Sequence, residues 1–217
     1  MIPLYDDNPT QRSAVLVYVL IAANVLIFLY ESMLGNPQLA RFLDTWAVIP
    51  RQLFAFPSRE TVTLLSSQFL HANFWHLLGN MWFLWIFGNN VEDKLGRIQF
   101  LGFYLICGAI AALTQSVFSP GSAVPLIGAS GAIAGVMGAY IVRFPRAEIV
   151  TLIPIFIILT TIRIPALFFL GIWIAGQTIY AAMSNPGQPG VAYLAHISGF
   201  VAGIILFKIF GERSDYS

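Results

Sequence analysis

The stretch Leu126-Ile127-Gly128-Ala129-Ser130-Gly131-Ala132-Ile133-Ala134-Gly135-Val136-Met137-Gly138 places one serine between glycines at the start of an apolar segment. Gly128 and Gly131 remove side-chain bulk on both sides of Ser130, so another backbone can approach its hydroxyl. Further small residues follow at four-residue spacing, which puts them on one helix face, and such faces allow membrane helices to pack closely. This pattern alone favours a structural helix contact over an active site, so a functional role depends on whether Ser130 has a partner elsewhere.

The composition indicates an all-α polytopic membrane protein. Hydrophobic residues make up 58% of the chain and charged residues 10%, and the mean hydropathy is +0.77. Apolar runs long enough to span a bilayer recur along the sequence. The net charge of +1, without a basic tract, argues against nucleic acid as a partner. Cys107 is the single cysteine, so it cannot form an internal disulfide, and we expect it to pack as a small hydrophobe.

The apolar runs predict six transmembrane helices in a single membrane domain over residues 1–217, with no separate soluble domain and no cleavable signal peptide. Their expected bounds are about 13–34, 73–91, 98–118, 130–144, 164–183 and 191–210. Residues 1–12 are expected to be a polar lead. Residues 35–66 mix charges, bulky apolar side chains and prolines, which predicts a structured loop at the membrane interface.

The segment 149–162 is ambiguous, because the apolar run from 149 to 183 is too long for one span. Pro154, Arg163 and Pro165 interrupt that run. As a helix, its first part would reach only about 20 Å, which is shorter than a hydrocarbon core of about 30 Å. We therefore expect the segment to lie in the interface, with a seventh span as the alternative.

The distribution of basic residues predicts the orientation. An even number of spans puts both termini on one side, together with the links between helices 2 and 3 and between helices 4 and 5. That side holds eight of the eleven basic residues: Arg12, Lys94, Arg97, Arg143, Arg146, Arg163, Lys208 and Arg213. The positive-inside rule then places both termini in the cytoplasm, and Ser130 and His196 toward the external side. Since no transit peptide or extra domain is evident, we expect a prokaryotic plasma membrane.

A partner for Ser130 is expected in the last span, within Ala195-His196-Ile197-Ser198-Gly199. Residues at i, i+3 and i+7 share a helix face, so His196, Gly199 and Gly203 form one stripe. A histidine face lined by glycines must press against a close neighbour, and the small-residue ridge at Ser130 is suited to this. Such packing would bring an imidazole to a serine hydroxyl, the minimum for an activated nucleophile. Since no carboxylate lies mid-span near either residue, the predicted arrangement is a dyad.

Acyl transfer also requires hydrogen-bond donors for the developing oxyanion. His76 and Asn80 lie four residues apart on the second span and face the same way. The backbone N–H of Ser130 is a third donor, because it lies unpaired at a helix start. His71 is expected to have a structural or hydrating role. Gln115 would either hold water at the site or make a helix-end hydrogen bond.

These motifs resemble those of the rhomboid family of intramembrane serine proteases, and the resemblance covers essentially the whole chain. The residues that carry it are His71-x-x-x-x-His76-x-x-x-Asn80, Gly128-x-Ser130-Gly131 and Ala195-His196-x-x-Gly199. The resemblance implies a six-transmembrane-helix rhomboid-like bundle with Ser130 as nucleophile and His196 as base. It implies an oxyanion hole formed by His76, Asn80 and the Ser130 amide. It further implies cleavage of single-span membrane proteins in the lipid bilayer, near the external end of their transmembrane segment, without a metal or other cofactor.

The sequence departs from the family pattern at two places. Many members carry a Trp-Arg pair in the first loop, where this chain has Thr63-Leu64-Leu65. Some members carry a tyrosine four residues after the serine, stacked on the histidine, and here that position is Ala134. His196 must therefore be held by another contact.

Other functions fit the sequence less well. The chain lacks the His-Glu-x-x-His helix of metalloproteases and the paired intramembrane aspartates of aspartyl proteases. A small-molecule transporter or channel remains an alternative, but no internal repeat or mid-span charge supports it. A catalytically inactive relative that binds membrane clients is a further alternative.

Overall fold

Long helices dominate the computed structural model, which describes residues 2–155, 158–185 and 187–211. The helices are α1 (Val15–Met33), α2 (Asn36–Trp46), α3 (Pro50–Ala55), α4 (Pro57–Glu60), α5 (Thr63–Ser66), α6 (Phe74–Leu95), α7 (Arg97–Val117), α8 (Ser130–Arg143), α9 (Ala166–Met183) and α10 (Tyr193–Phe210). A 3-10 turn, Ser67–Phe69, precedes α6. The strands β1 (Ile2–Asp6), β2 (Glu148–Ile155) and β3 (Ile158–Pro165) form one antiparallel sheet in that order.

The expected spans correspond to α1 and α6 to α10, with ends that differ by a few residues. By length and composition, α1, α7, α9 and α10 can each cross a membrane. The chain is therefore an integral, multi-pass membrane protein, as predicted, whereas the count of six spans stays a prediction. Helix α8 has 14 residues, a length of about 21 Å. Its first residue, Ser130, therefore need not lie at a membrane surface.

The closest helix contact in the bundle joins α8 to α10 through glycines. A Cβ atom at Gly199 would overlap the carbonyl group of Gly131, and one at Gly203 would overlap that of Gly135. Only glycine permits backbones to approach this closely in membrane helices, where packing rather than hydrophobic burial drives association. The predicted contact between the small faces of these two helices is confirmed.

The carboxylate of Glu92 holds the start of α1 against the end of α6. It accepts hydrogen bonds from the backbone N–H groups of Leu16 at 3.0 Å and Val17 at 2.8 Å. These amides belong to the first turn of α1, which has no intrahelical acceptor for them. The buried carboxylate also interacts favourably with the positive end of the helix dipole.

The expected all-α fold was wrong for the segment 149–162, because its described residues form most of the hairpin β2–β3 and not a seventh spanning helix. Its location in the membrane interface stays a prediction. Residues 156–157 of that segment lie outside the described residues. β-Branched residues make up most of this segment, including Ile149-Val150-Thr151 and Thr160-Thr161-Ile162, and they favour strands. Residues 2–6 of the expected polar lead form β1, which pairs with β2 between Ile2 and Leu152 and between Asp6 and Ile149.

Polar contacts connect this sheet to the helices. The Tyr140 hydroxyl donates to Asp6 Oδ2 at 2.6 Å, and Asn90 Nδ2 donates to the same oxygen at 3.1 Å. Burial raises the pKa of the Asp6 carboxyl to about 6, although the Tyr140 hydrogen bond opposes the rise. Arg163 forms ion pairs with Asp7 at 2.7 Å and Glu148 at 3.2 Å. Arg163, on β3, therefore joins this strand to β2 and to the residue that follows β1. Arg213, one of the basic residues used for orientation, lies outside the described residues.

The loop between α1 and α6 is structured, as predicted, and it pairs with the segment that leads to Ser130. Val48 and Leu126 exchange backbone hydrogen bonds of 3.2 and 2.7 Å, and the Gly128 N–H donates to the Ser67 carbonyl at 2.9 Å. These bonds anchor the loop in a chain that has Thr63-Leu64-Leu65 in place of the Trp-Arg pair. They also fix the approach to α8.

The glycine contact predicts that Gly203→Ala lowers stability. The added methyl group would overlap the Gly135 carbonyl, and separating α8 from α10 should cost about 1–3 kcal/mol. Gly176→Ala on α9 is the matched control, because no heavy atom of the described residues lies within 4 Å of the place its methyl group would take. Thermal unfolding of the two purified variants in detergent measures the effect. Equal melting temperatures would contradict the helix contact described above.

Candidate active site

Ser130 and His196 lie in direct contact. Ser130 is the first residue of α8, and His196 lies in the first turn of α10. The distance from Ser130 Oγ to His196 Nε2 is 2.8 Å. The glycine contact between α8 and α10 produces this distance, since Gly131 follows the serine and Gly199 lies one turn after the histidine.

A second group of polar side chains lies at the start of α6. The Asn73 side chain caps this helix by accepting from the His76 N–H at 2.9 Å. Asn80 follows His76 by one helical turn and is buried. Gly128 lies against both: a Cβ at this position would lie 2.7 Å from the His76 ring and 3.6 Å from Asn80 Nδ2. Gly128 also has a φ of 120°, which favours glycine. The loop before Ser130 therefore passes directly beside both predicted oxyanion donors.

His71 supports Asn80 from behind. Its Nε2 accepts a hydrogen bond from Asn80 Nδ2 at 2.9 Å, and its own backbone N–H donates to Glu31 Oε2 at 3.2 Å. Helix α6 begins at Phe74, so His71 lies outside the helix. Both residues are buried, with His71 only 3% exposed. Glu31 thus holds the His71 backbone, and the His71 imidazole fixes the orientation of the Asn80 amide.

A cavity of about 600 Å³ brings the predicted groups together. Its lining includes His76, Asn80, Gln115, Ser130 and His196. This volume lies within the usual range for ligand sites. The other residues singled out in the sequence lie around it: His71 is buried behind Asn80, Gly128 lies beside His76, and Gly131 and Gly199 lie in the helix contact. Within the described ranges, no three His, Cys, Asp or Glu side chains are grouped as metal ligands.

The sequence analysis missed two residues of α9 that contact His196. Gln177 Oε1 lies 2.7 Å from His196 Nδ1. The Trp173 ring lies 5.9 Å from the imidazole, with an angle of 31° between the ring planes. A polar side chain inside an apolar span is by default a functional candidate, and this signal could have identified Gln177.

The hydrogen-bond partners of His196 define its protonation. Gln177 Oε1 can only accept, so Nδ1 carries the proton and donates it. Nε2 is then free to accept from the Ser130 hydroxyl. The imidazole is therefore arranged to remove a proton from Ser130, as a general base must.

Comparison with known proteins finds a family model and several relatives that match this chain. The family model described as "Rhomboid domain" matches residues 58–213. The chain is 29% identical to "Rhomboid protein 1, mitochondrial" of Saccharomyces cerevisiae, over 88% of this chain and 51% of that protein. It is 31% identical to "Presenilin-associated rhomboid-like protein, mitochondrial" of Homo sapiens, over 63% of this chain and 35% of that protein. It is 28% identical to "Rhomboid-like protein 11, chloroplastic" of Arabidopsis thaliana, over 65% and 50%. The chain thus spans about half the length of these curated relatives, or less.

Proposed function

Because the chain belongs to the Rhomboid family, we propose that it is an intramembrane serine endopeptidase that cleaves transmembrane segments of client proteins by a Ser-His dyad. The observation that carries the proposal is the 2.8 Å contact between Ser130 Oγ and His196 Nε2. This contact opens onto a cavity that two further hydrogen-bonding side chains, His76 and Asn80, also line.

The proposed reaction begins when His196 Nε2 takes the proton of the Ser130 hydroxyl and Oγ attacks a client carbonyl carbon. The Ser130 N–H, the Asn80 amide and the His76 imidazole then donate hydrogen bonds to the developing oxyanion. His196 returns the proton to the leaving amine as the peptide bond breaks. Water enters the cavity near Gln115, loses a proton to His196 and hydrolyses the acyl-enzyme, which regenerates Ser130.

A client helix would reach the dyad between α6 and α9. A second cavity of about 360 Å³ lies there, with Phe83, Trp173 and Tyr180 in its lining beside Ser130 and His196. The buried residues of α9 all lie between Ala166 and Leu170, so the rest of this helix is loosely packed. We propose that α9 is the wall that moves to admit clients. Clients would carry helix-weakening residues near the cut, since a peptide bond must leave its helix before attack.

Two alternatives are weaker. A transporter or channel does not require a serine hydroxyl aligned with a histidine base. An inactive client-binding protein does not require either the dyad or oriented donors beside it. Neither alternative function accounts for the 2.8 Å contact between Ser130 Oγ and His196 Nε2.

The compartment is the point on which the sequence and the relatives differ. A prokaryotic plasma membrane was the expectation, whereas the names of the relatives place those proteins in mitochondria or chloroplasts, and the compartment of this chain stays a prediction. The spanning helices of this chain support an integral, multi-pass location in either case. We propose that the termini lie on the side that carries most basic residues, with the dyad toward the opposite side.

Ser130→Ala and His196→Ala should each abolish cleavage of a single-span client by the purified protein in detergent, because each removes one reacting group. A fluorophosphonate probe should label Ser130 in the wild-type protein and should fail to label either variant. Ser198→Ala is the matched control, since its hydroxyl donates to the backbone of its own helix at 2.8 Å. Cleavage at the wild-type rate by Ser130→Ala would remove the dyad proposal.

Asn80→Ala should lower kcat by roughly 10²–10³, as expected for the loss of one oxyanion donor. Asn89→Ala serves as the control, because it removes the same side chain from the other end of α6. An unchanged kcat in Asn80→Ala would mean that the oxyanion is bound by other groups.

Joining α6 to α9 should block entry of clients. Cysteines introduced at Phe83 and Tyr180, with Cys107→Ala to remove the native thiol, can be linked by a reducible bifunctional reagent. Client cleavage should stop after linking and return after reduction, while fluorophosphonate labelling of Ser130 continues throughout. Undiminished client cleavage by the linked protein would argue against entry at this side.

A further inference from the structure

We propose that Gln177 is a positioning residue that fixes the tautomer and orientation of His196. This inference rests on the proposed function, since it assigns the group that holds the base of the dyad. Some family members have a tyrosine four residues after the serine, and its ring stacks on the histidine. Here that residue is Ala134, which is fully buried and has no ring to offer.

The two hydrogen bonds of His196 form a chain. The imidazole Nδ1–H donates to Gln177 Oε1 at 2.7 Å, and Nε2 accepts from the Ser130 hydroxyl at 2.8 Å. The bond at one ring nitrogen sets the role of the other. Without an acceptor at Nδ1, the tautomer with its proton on Nε2 becomes accessible, and that tautomer cannot take the Ser130 proton.

The placement of Gln177 supports a specific role. Trp173 lies one turn earlier on α9, and its ring faces the same imidazole at 5.9 Å. Helix α9 thus supplies both an aromatic face and an acceptor to His196. An amide within a helix this apolar is unfavourable unless it finds a partner.

The contact between Gln177 and His196 also connects the proposed base to α9, the helix that we propose moves to admit clients. Beyond Leu170, every residue of α9 is at least partly exposed, and the Gln177–His196 bond is one of the contacts of this part of α9 with α10. Displacing this part of α9 would break that bond. The position of α9 therefore affects the dyad as well as the entry of clients.

Two substitutions test the proposal in the full-length protein, assayed against a single-span client in detergent. Gln177→Leu removes the acceptor, and Gln177→Glu retains an acceptor that cannot donate when ionised. Thr178→Val is the matched control, because Thr178 is the exposed neighbour on α9 and its hydroxyl donates to the Ile174 carbonyl of its own helix at 2.9 Å. Ser130→Ala reports separately on whether the protein is a serine protease.

Gln177→Leu should lower kcat about tenfold, with KM unchanged, as expected for the loss of one neutral hydrogen bond. Gln177→Glu should retain most of kcat and move the acid limb of the pH–rate profile upward by about one pH unit, because a carboxylate stabilises the imidazolium. A Gln177→Leu kcat within twofold of wild type overturns the proposal. A tenfold or greater loss of kcat in Gln177→Glu, which retains an acceptor oxygen, also overturns it, and this variant decides the question if Gln177→Leu fails to fold. In either case, loss of cleavage in Ser130→Ala would leave the protease function standing.

Discussion

The contact between α8 and α10 is the constraint on which the rest of the structure depends. Gly199 and Gly203 lie so close to the carbonyl groups of Gly131 and Gly135 that a single methyl group would overlap them. The backbones therefore lie closer than a residue with a Cβ atom at these positions would allow, and the short serine side chain reaches an imidazole on the neighbouring helix. In lipid, such contacts are held by packing and hydrogen bonds. The geometry of the dyad and the stability of the bundle consequently rest on the same atoms.

The segment before α8 shows how irregular backbone is tolerated within this fold. Backbone N–H and C=O groups in a membrane need partners inside the protein. The backbone N–H and C=O of Leu126 pair with those of Val48, and the Gly128 N–H donates to the Ser67 carbonyl. These bonds attach the approach to Ser130 to the first loop. The loop thus supports the site by positioning the backbone that carries the serine.

The sequence predicted the helices and the dyad contact because both follow from local patterns: apolar runs, small residues at four-residue spacing, and a histidine on a glycine face. It did not predict the hairpin β2–β3, because hydropathy alone cannot separate an apolar strand from a short helix and the pairing of β1 with β2 is distant in sequence. The contact of His71 with Asn80 did not follow from helical periodicity either, because α6 begins only at Phe74 and His71 lies before it. The contact of Gln177 with His196 depends on how α9 is rotated against α10, which periodicity does not specify.

The apolar surroundings of α9 explain why the group beside His196 Nδ1 is the amide of Gln177 and not a carboxylate. A carboxylate would stabilise the imidazolium more strongly, but an ionised group far from water carries a large desolvation penalty unless it is fully paired. An amide oxygen still accepts the Nδ1 proton and so selects the same tautomer without a net charge. In a soluble protease, water and surrounding dipoles offset the cost of a buried carboxylate. On an apolar helix such as α9, a neutral acceptor orients the base while leaving the helix compatible with lipid.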